Sequence, residues 1–311
     1  MSRAELPTER PNERAEGLDA MTTREALDVF HEEDASIAQA IHAARDSIAA
    51  AIDLIAERLQ GGGRLFYVGA GTSGRLGVLD AVECPPTFRS DPAQVRGLIA
   101  GGPEALLRSV EGAEDEREGG AAMLTANEVN GNDVVFGIAA GGTTPFVHGA
   151  IAHAKELGAA TVFFACVPED QVPDEADVSI RVVTGPEVLA GSTRMKAGTA
   201  TKMVLNRVST LVMVRLGKTY GNRMVDVNAG SNAKLWERGT NLVREICGVD
   251  EAVAADLLER ASGRVKIAAV LHAFGLDDPA DAERRLEAAG GFLGRALADA
   301  GGTAGESQES R

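Results

Sequence analysis

Val68-Gly69-Ala70-Gly71-Thr72-Ser73-Gly74-Arg75 decides how this chain is read. A strand-like apolar run, Leu65 to Val68, precedes it, and a helix-like run, Leu76 to Ala81, follows. Glycines let a backbone turn tightly and approach a ligand closely. Thr72 and Ser73 contribute hydroxyl donors, and a helix N-terminus adds unpaired N–H groups and positive partial charge. Gly71, Thr72, Ser73 and Arg75 therefore read as an anion cradle, with phosphate the expected anion. Glu83 follows in Glu83-Cys84-Pro85-Pro86. A carboxylate near a phosphate cradle suggests acid–base chemistry on a phosphorylated substrate.

The same loop is a literal G-x-G-x-x-G (Gly69, Gly71, Gly74), which also suits a dinucleotide. That reading needs an acidic residue at the end of the second strand to hold a ribose. The next strand candidate, Val95 to Ala100, ends in Gly101-Gly102-Pro103, and Asp91 lies before it, at the wrong end. A second loop, Ala140-Gly141-Gly142-Thr143-Thr144-Pro145, again sits between a strand-like run (Val134 to Ile138) and a helix-like run (Phe146 to Leu157). Two hydroxyl-bearing turns, the second offering Gly142, Thr143 and Thr144, fit a sugar phosphate better than a dinucleotide.

Short Val/Ile/Phe strands at 64–68, 95–100, 133–138, 160–166 and 178–183 alternate with helical patterns. This predicts an α/β fold with a parallel sheet flanked by helices. Ligands of such sheets bind beyond the carboxyl ends of the strands, where both loops fall. Ile37, Ile41, Ile48, Ile52 and Ile55 predict one long amphipathic helix over Glu33 to Leu59, stopped by Gly61-Gly62-Gly63. The expected organisation is an N-terminal arm (1–20), loosely ordered, then a sugar-phosphate-binding domain (21–229). An all-helical C-terminal appendage (230–300) and a disordered tail (301–311) follow.

Of the 311 residues 44% are apolar but only 4% aromatic, so Ala, Val and Leu must fill the core. The net charge of -15 opposes a nucleic-acid footprint, which needs a basic surface. Three cysteines (Cys84, Cys166, Cys247) without C-x-x-C spacing argue against a disulfide framework and for a reducing compartment. The N-terminus lacks an apolar signal core, and Arg194, Lys196, Lys202, Arg207 and Arg215 interrupt the run 193–216 that length alone would allow as a membrane span. A cytoplasmic protein without a membrane partner is expected. His31, His42, His148, His153 and His272 show no ligand spacing, so no metal is expected.

Gly69–Phe88 resembles the N-acetylmuramic acid 6-phosphate etherases, a family within the sugar isomerase (SIS) superfamily. The resemblance continues through Ser109-Val110-Glu111-Gly112-Ala113-Glu114-Asp115 and returns over Gly185 to Ala200. It extends through Lys202 to Asn206 and on to Gly221-Asn222 and Met224 to Val227. It implies a SIS-type fold, a homodimer and a lyase that uses no cofactor. That lyase removes D-lactate from C3 of its phosphorylated amino-sugar substrate by elimination followed by water addition. The resemblance further implies that Glu114 takes the C2 proton. Glu83 would protonate the departing oxygen and later activate water. Two carboxylates can do this if their environments separate their pKa values. Glu83 is expected half-buried beside Pro85, Pro86, Leu79 and Phe88, with its pKa raised by desolvation.

Bland readings stand beside these. Glu83 also suits a capping or solvated position, and Glu114 lies in a charged run (Glu111, Asp115, Glu116, Glu118) that reads as a solvated helix face. The family pattern at the second loop is Ser-Gly-Arg-Thr-Pro, whereas this chain has Gly141-Gly142-Thr143-Thr144-Pro145, without the serine hydroxyl and the arginine charge. Two other functions remain open. One is a sugar-phosphate sensor without catalysis, like the related glucokinase regulatory protein. The other is an aldose–ketose phosphosugar isomerase, which needs a base at C2 but releases no lactate.

Overall fold

A computed structural model describes residues 3–227 and 229–303. Three helices lead: α1 (Thr23–Ala35), α2 (Ile37–Ala43) and α3 (Arg45–Gln60). Strand β1 (Leu65–Gly69) runs into α4 (Gly71–Phe88), then come β2 (Val95–Ile99), α5 (Arg117–Ala126), β3 (Val134–Ile138) and α6 (Pro145–Glu156). Next are β4 (Ala160–Ala165), β5 (Val178–Arg181) and the long α7 (Lys196–Arg215). A small hairpin, β6 (Thr219–Tyr220) with β7 (Arg223–Met224), precedes α8 (Ala233–Cys247), α9 (Glu251–Arg260), α10 (Val265–Phe274), α11 (Pro279–Ala288) and α12 (Leu293–Thr303).

The chain forms two compact units. The first holds the sheet and comprises residues 1–82 and 92–210. Its strand order is β2-β1-β3-β4-β5 and every pairing is parallel. All residues of β1, β3 and β4 are buried. Strands covered on both faces read as continuous apolar runs, which is why they were legible. Order reverses between β1 and β3, and that switch point is where open α/β sheets bind ligands. At the opposite end of these strands Arg64 binds the buried Asp133 carboxylate at 2.7 Å.

The second unit comprises residues 83–91 and the chain from 211 on, and its elements among the described residues are helical apart from the hairpin. Its core gathers Val225, Val243, Leu257, Leu258, Ile267 and Leu271. Local signals punctuate it: Asn232, Asp250 and Asp278 cap the starts of α8, α9 and α11, and left-handed Gly248 and Gly275 end α8 and α10. The division into units falls at Thr210 rather than near 230. Composition gives no warning there, because α7 continues unbroken through it.

Three expectations are corrected. The helix expected over 33–59 starts earlier, where Thr22 and Glu25 form a capping box, and it is divided at Ser36 and Ala44. Ser36 Oγ donates to the Glu33 carbonyl at 2.6 Å, a local bond that competes with helix continuation. The N-terminal arm is not loose, because Leu6 joins the core of the first unit and Thr8 is fully buried. Of the tail expected over 301–311, residues 301–303 close α12, and 304–311 lie outside the described residues.

Among the described residues no helix is long and apolar enough to cross a membrane, and no group of three His, Cys, Asp or Glu side chains could hold a metal ion.

Candidate active site

The two glycine loops leave the carboxyl ends of neighbouring strands, β1 and β3. They meet in a cavity of about 240 Å³ in the first unit, lined by Thr72, Ser73, Thr143, Thr144 and Glu114 among others. An adjoining cavity of about 290 Å³ shares Gly71 and Glu114 and adds Arg75, Ser109 and Glu111. Together they exceed the roughly 300 Å³ at which small-molecule pockets commonly begin. Glu114 is the carboxylate common to both.

The donors differ between the loops. In α4 the Gly74 N–H bonds back to the Ala70 carbonyl at 3.2 Å, so the helix leaves the N–H groups of Gly71, Thr72 and Ser73 for a ligand. That end carries the positive partial charge of an 18-residue helix. The start of α6 is less open. Pro145 at its first position has no N–H, and the Phe146 N–H donates to the Glu114 carbonyl at 3.0 Å. His148 Nε2 donates to the Gly142 carbonyl at 2.6 Å and holds the turn from below. Gly142 lines neither cavity; its backbone packs against Val167 and Val172.

Glu114 sits in a turn at 111–115, before α5 begins at Arg117, and not on a helix face as its charged neighbours suggested. Its backbone is tied to the start of α6, while its cavity-lining neighbours Gly71 and Ser73 belong to α4. Arg75 lies in the adjoining cavity only, where its Nε donates to the Leu106 carbonyl at 3.3 Å.

Glu83 lies twelve residues beyond Gly71 in the sequence of α4. It is exposed, and so are Leu79 and Val82 beside it. The half-buried setting expected for it is not found: Leu79 is exposed, and Phe88 is buried without covering Glu83.

Sequence reasoning missed a third wall of the cavity, made by Gly191, Thr193 and Gly198. Glu187 holds it. Fully buried, it accepts from the Lys196 N–H at 2.9 Å and the Ala197 N–H at 3.0 Å, closing the loop 187–197 on the start of α7. Burial pushes its carboxyl above the usual range, while those two N–H groups and the Lys196 charge pull the other way. The α7 terminus is thereby capped from inside and has no donors left for an anion at those positions. Lys196, also buried, pairs with Glu33, which Arg14 approaches at 3.6 Å. The signal was present in Gly185-Pro186-Glu187, but nothing in the sequence says where a lone glutamate turns.

Family comparisons agree with this architecture. A model of the SIS domain matches residues 113–209, and one of the glucokinase regulatory protein N-terminal SIS domain matches residues 47–155. The chain is 56% identical to an N-acetylmuramic acid 6-phosphate etherase of Gloeobacter violaceus over 95% of this chain and 96% of that one. The chain belongs to the N-acetylmuramic acid 6-phosphate etherase family. The etherase of Thermosynechococcus vestitus is likewise 56% identical, covering 87% of this chain and 88% of its own. That of Parasynechococcus marenigrum is 52% identical, covering 96% and 94%. Family membership extends over both units, so the helical unit is part of the shared design and not an attachment peculiar to this chain.

Proposed function

We propose that this chain is an N-acetylmuramic acid 6-phosphate etherase: it takes up water and releases D-lactate and N-acetylglucosamine 6-phosphate. The observation that carries the reading is Glu114, a carboxylate lining the cavity where two hydroxyl-bearing loops converge at the sheet's switch point. High identity to etherases along nearly the whole chain supports it.

The phosphate rests on the N-terminus of α4, against Thr72 and Ser73, and Thr143 and Thr144 meet the sugar. Glu114 removes the C2 proton of the open-chain aldehyde. The C3–O bond then breaks, the lactyl oxygen takes a proton, and water adds at C3 of the unsaturated aldehyde while C2 regains a proton. Arg75, in the adjoining cavity, is suited to the lactyl carboxylate or to a phosphate displaced toward it.

Glu83 supplies the proton to the departing oxygen and then activates water. Glu83 and its neighbours Leu79 and Val82 are exposed, a surface that a second copy of the chain in a cytoplasmic homodimer would cover, bringing the Glu83 of one copy to the cavity of the other.

The test is release of D-lactate from N-acetylmuramic acid 6-phosphate by the purified chain. Glu83→Gln and Glu114→Gln should each abolish release, and mixing the two variants should restore part of it, because a mixed dimer keeps one intact site. Binding of the substrate without lactate release would favour the sensor. Ketose formation would favour the isomerase. Inactive mixtures would place both carboxylates in one chain.

A further inference from the structure

We propose that Glu9 is a substrate-contacting carboxylate that reads the sugar rather than the phosphate. The inference rests on the etherase reading of the cavity but concerns a residue which that reading leaves unused.

The N-terminal segment is a strap fastened at several points. Leu6 is buried in the core of the first unit. The Glu9 and Arg10 N–H groups donate to the Leu6 carbonyl at 2.9 and 3.2 Å, a tight turn that fixes where Glu9 leaves the backbone. The Thr8 carbonyl accepts from the Gly191 N–H at 3.2 Å, and Asn12 Nδ2 donates to the Pro186 carbonyl at 3.3 Å. The strap thus ties to the third wall of the cavity on both sides of Glu9. Its side chain lines the cavity beside Thr72, Ser73, Thr143 and Thr144, with Oε2 3.2 Å from where a Cβ on Gly191 would stand. Half-buried, it has no ion pair or side-chain hydrogen bond among the described residues.

Thr8, next to Glu9, is fully buried, and its Oγ1 lies 3.9 Å from the position of a Cβ on Gly141, so the strap also packs against the second loop.

Charge decides what Glu9 contacts. A carboxylate only accepts hydrogen bonds. It repels the phosphate, whose donors lie on α4, and it matches the hydroxyl and amide N–H groups of an N-acetylated amino sugar. Glu9 and Glu114 are the two carboxylates lining this cavity, so both face the sugar.

The experiment compares two ligands by calorimetric titration of the full chain and its Glu9→Ala and Glu9→Gln variants. Affinity for N-acetylglucosamine 6-phosphate should fall about 10- to 100-fold in Glu9→Ala, as expected for a lost hydrogen bond to a charged group. It should fall less in Glu9→Gln, which still accepts. Affinity for inorganic phosphate should stay unchanged or rise, because a repulsive charge has gone. In the lactate assay KM should rise with kcat within a few-fold. Unchanged sugar-phosphate affinity, or a parallel loss for both ligands, would overturn the proposal. If Glu9→Ala does not fold, the Glu9→Gln titrations decide by the same comparison. If the unaltered chain releases no lactate, the etherase reading fails and the two titrations still judge Glu9.

Discussion

The loops after β1 and β3 are made of the same residue types, yet they offer a ligand different things. In the first, glycine runs directly into the helix and three N–H groups stay open. In the second, proline removes one donor, the Glu114 carbonyl takes the next, and His148 holds the turn. The first loop leaves donors that suit the anion site proposed for it. The second ties down the turn that carries Glu114 and presents hydroxyls. Gly/Thr composition alone does not separate these roles; the count of unpaired donors does.

The sharpest way to test that contrast is Glu114, which lines the cavity where the two loops meet. Glu114→Gln should lower lactate release by about 10²-fold or more, within the range for a general base. Exchange of the C2 proton with deuterated solvent should disappear. Affinity for the sugar phosphate should hold within a few-fold, because the α4 donors are intact and the Phe146 N–H still meets a backbone carbonyl. Persistent exchange would move the role, first to Glu111 or Asp115.

A smaller effect separates one glycine of each loop by packing. A Cβ on Gly74 would stand 2.6 Å from Ile99 Cγ1 and 2.7 Å from the Gly69 carbonyl oxygen, whereas Gly141 has nothing nearer than 3.9 Å. Gly74→Ala should cost about 1–3 kcal/mol, the usual range for overpacking. Gly141→Ala should stay within about 0.5 kcal/mol. Urea midpoints followed by circular dichroism measure both, and equal shifts would mean that these two positions are packed alike.

The smallest effect concerns single hydroxyls. Ser73→Ala should raise KM about 3- to 10-fold, the worth of one hydrogen bond, and weaken inhibition by inorganic phosphate by a similar factor. Thr144 makes no side-chain capping bond, so Thr144→Ala should fold normally. It should leave phosphate inhibition within about twofold. Equal weakening by both variants would show a phosphate bridging the two loops and would dissolve the distinction.

Some of this was open to reading in one dimension. The strands β1, β3 and β4 are almost wholly apolar, with Thr161 the exception in β4, and each loop advertises itself by glycine followed by hydroxyls. Gly61-Gly62-Gly63 ends α3 where expected, with its last residue at Gln60. The start at Thr22 is marked by a local capping box, but the isoleucine spacing that defines the helix begins only at Ile37. Leu6 is a single apolar residue among charged ones, so no periodicity announces that the strap is anchored.

Sequence by itself determined which segments become strands and most of the helices, because these depend on side-chain alternation and on neighbours within a turn. Only tertiary structure decided that β1 lies between β2 and β3, and that Glu9, Ser73, Glu114, Thr144 and Thr193 share one cavity. Tertiary structure also decided that Glu187 caps α7 from inside while Glu83 faces outward. Those choices turn on burial and on long-range pairing. A glutamate's own letter carries no information about either.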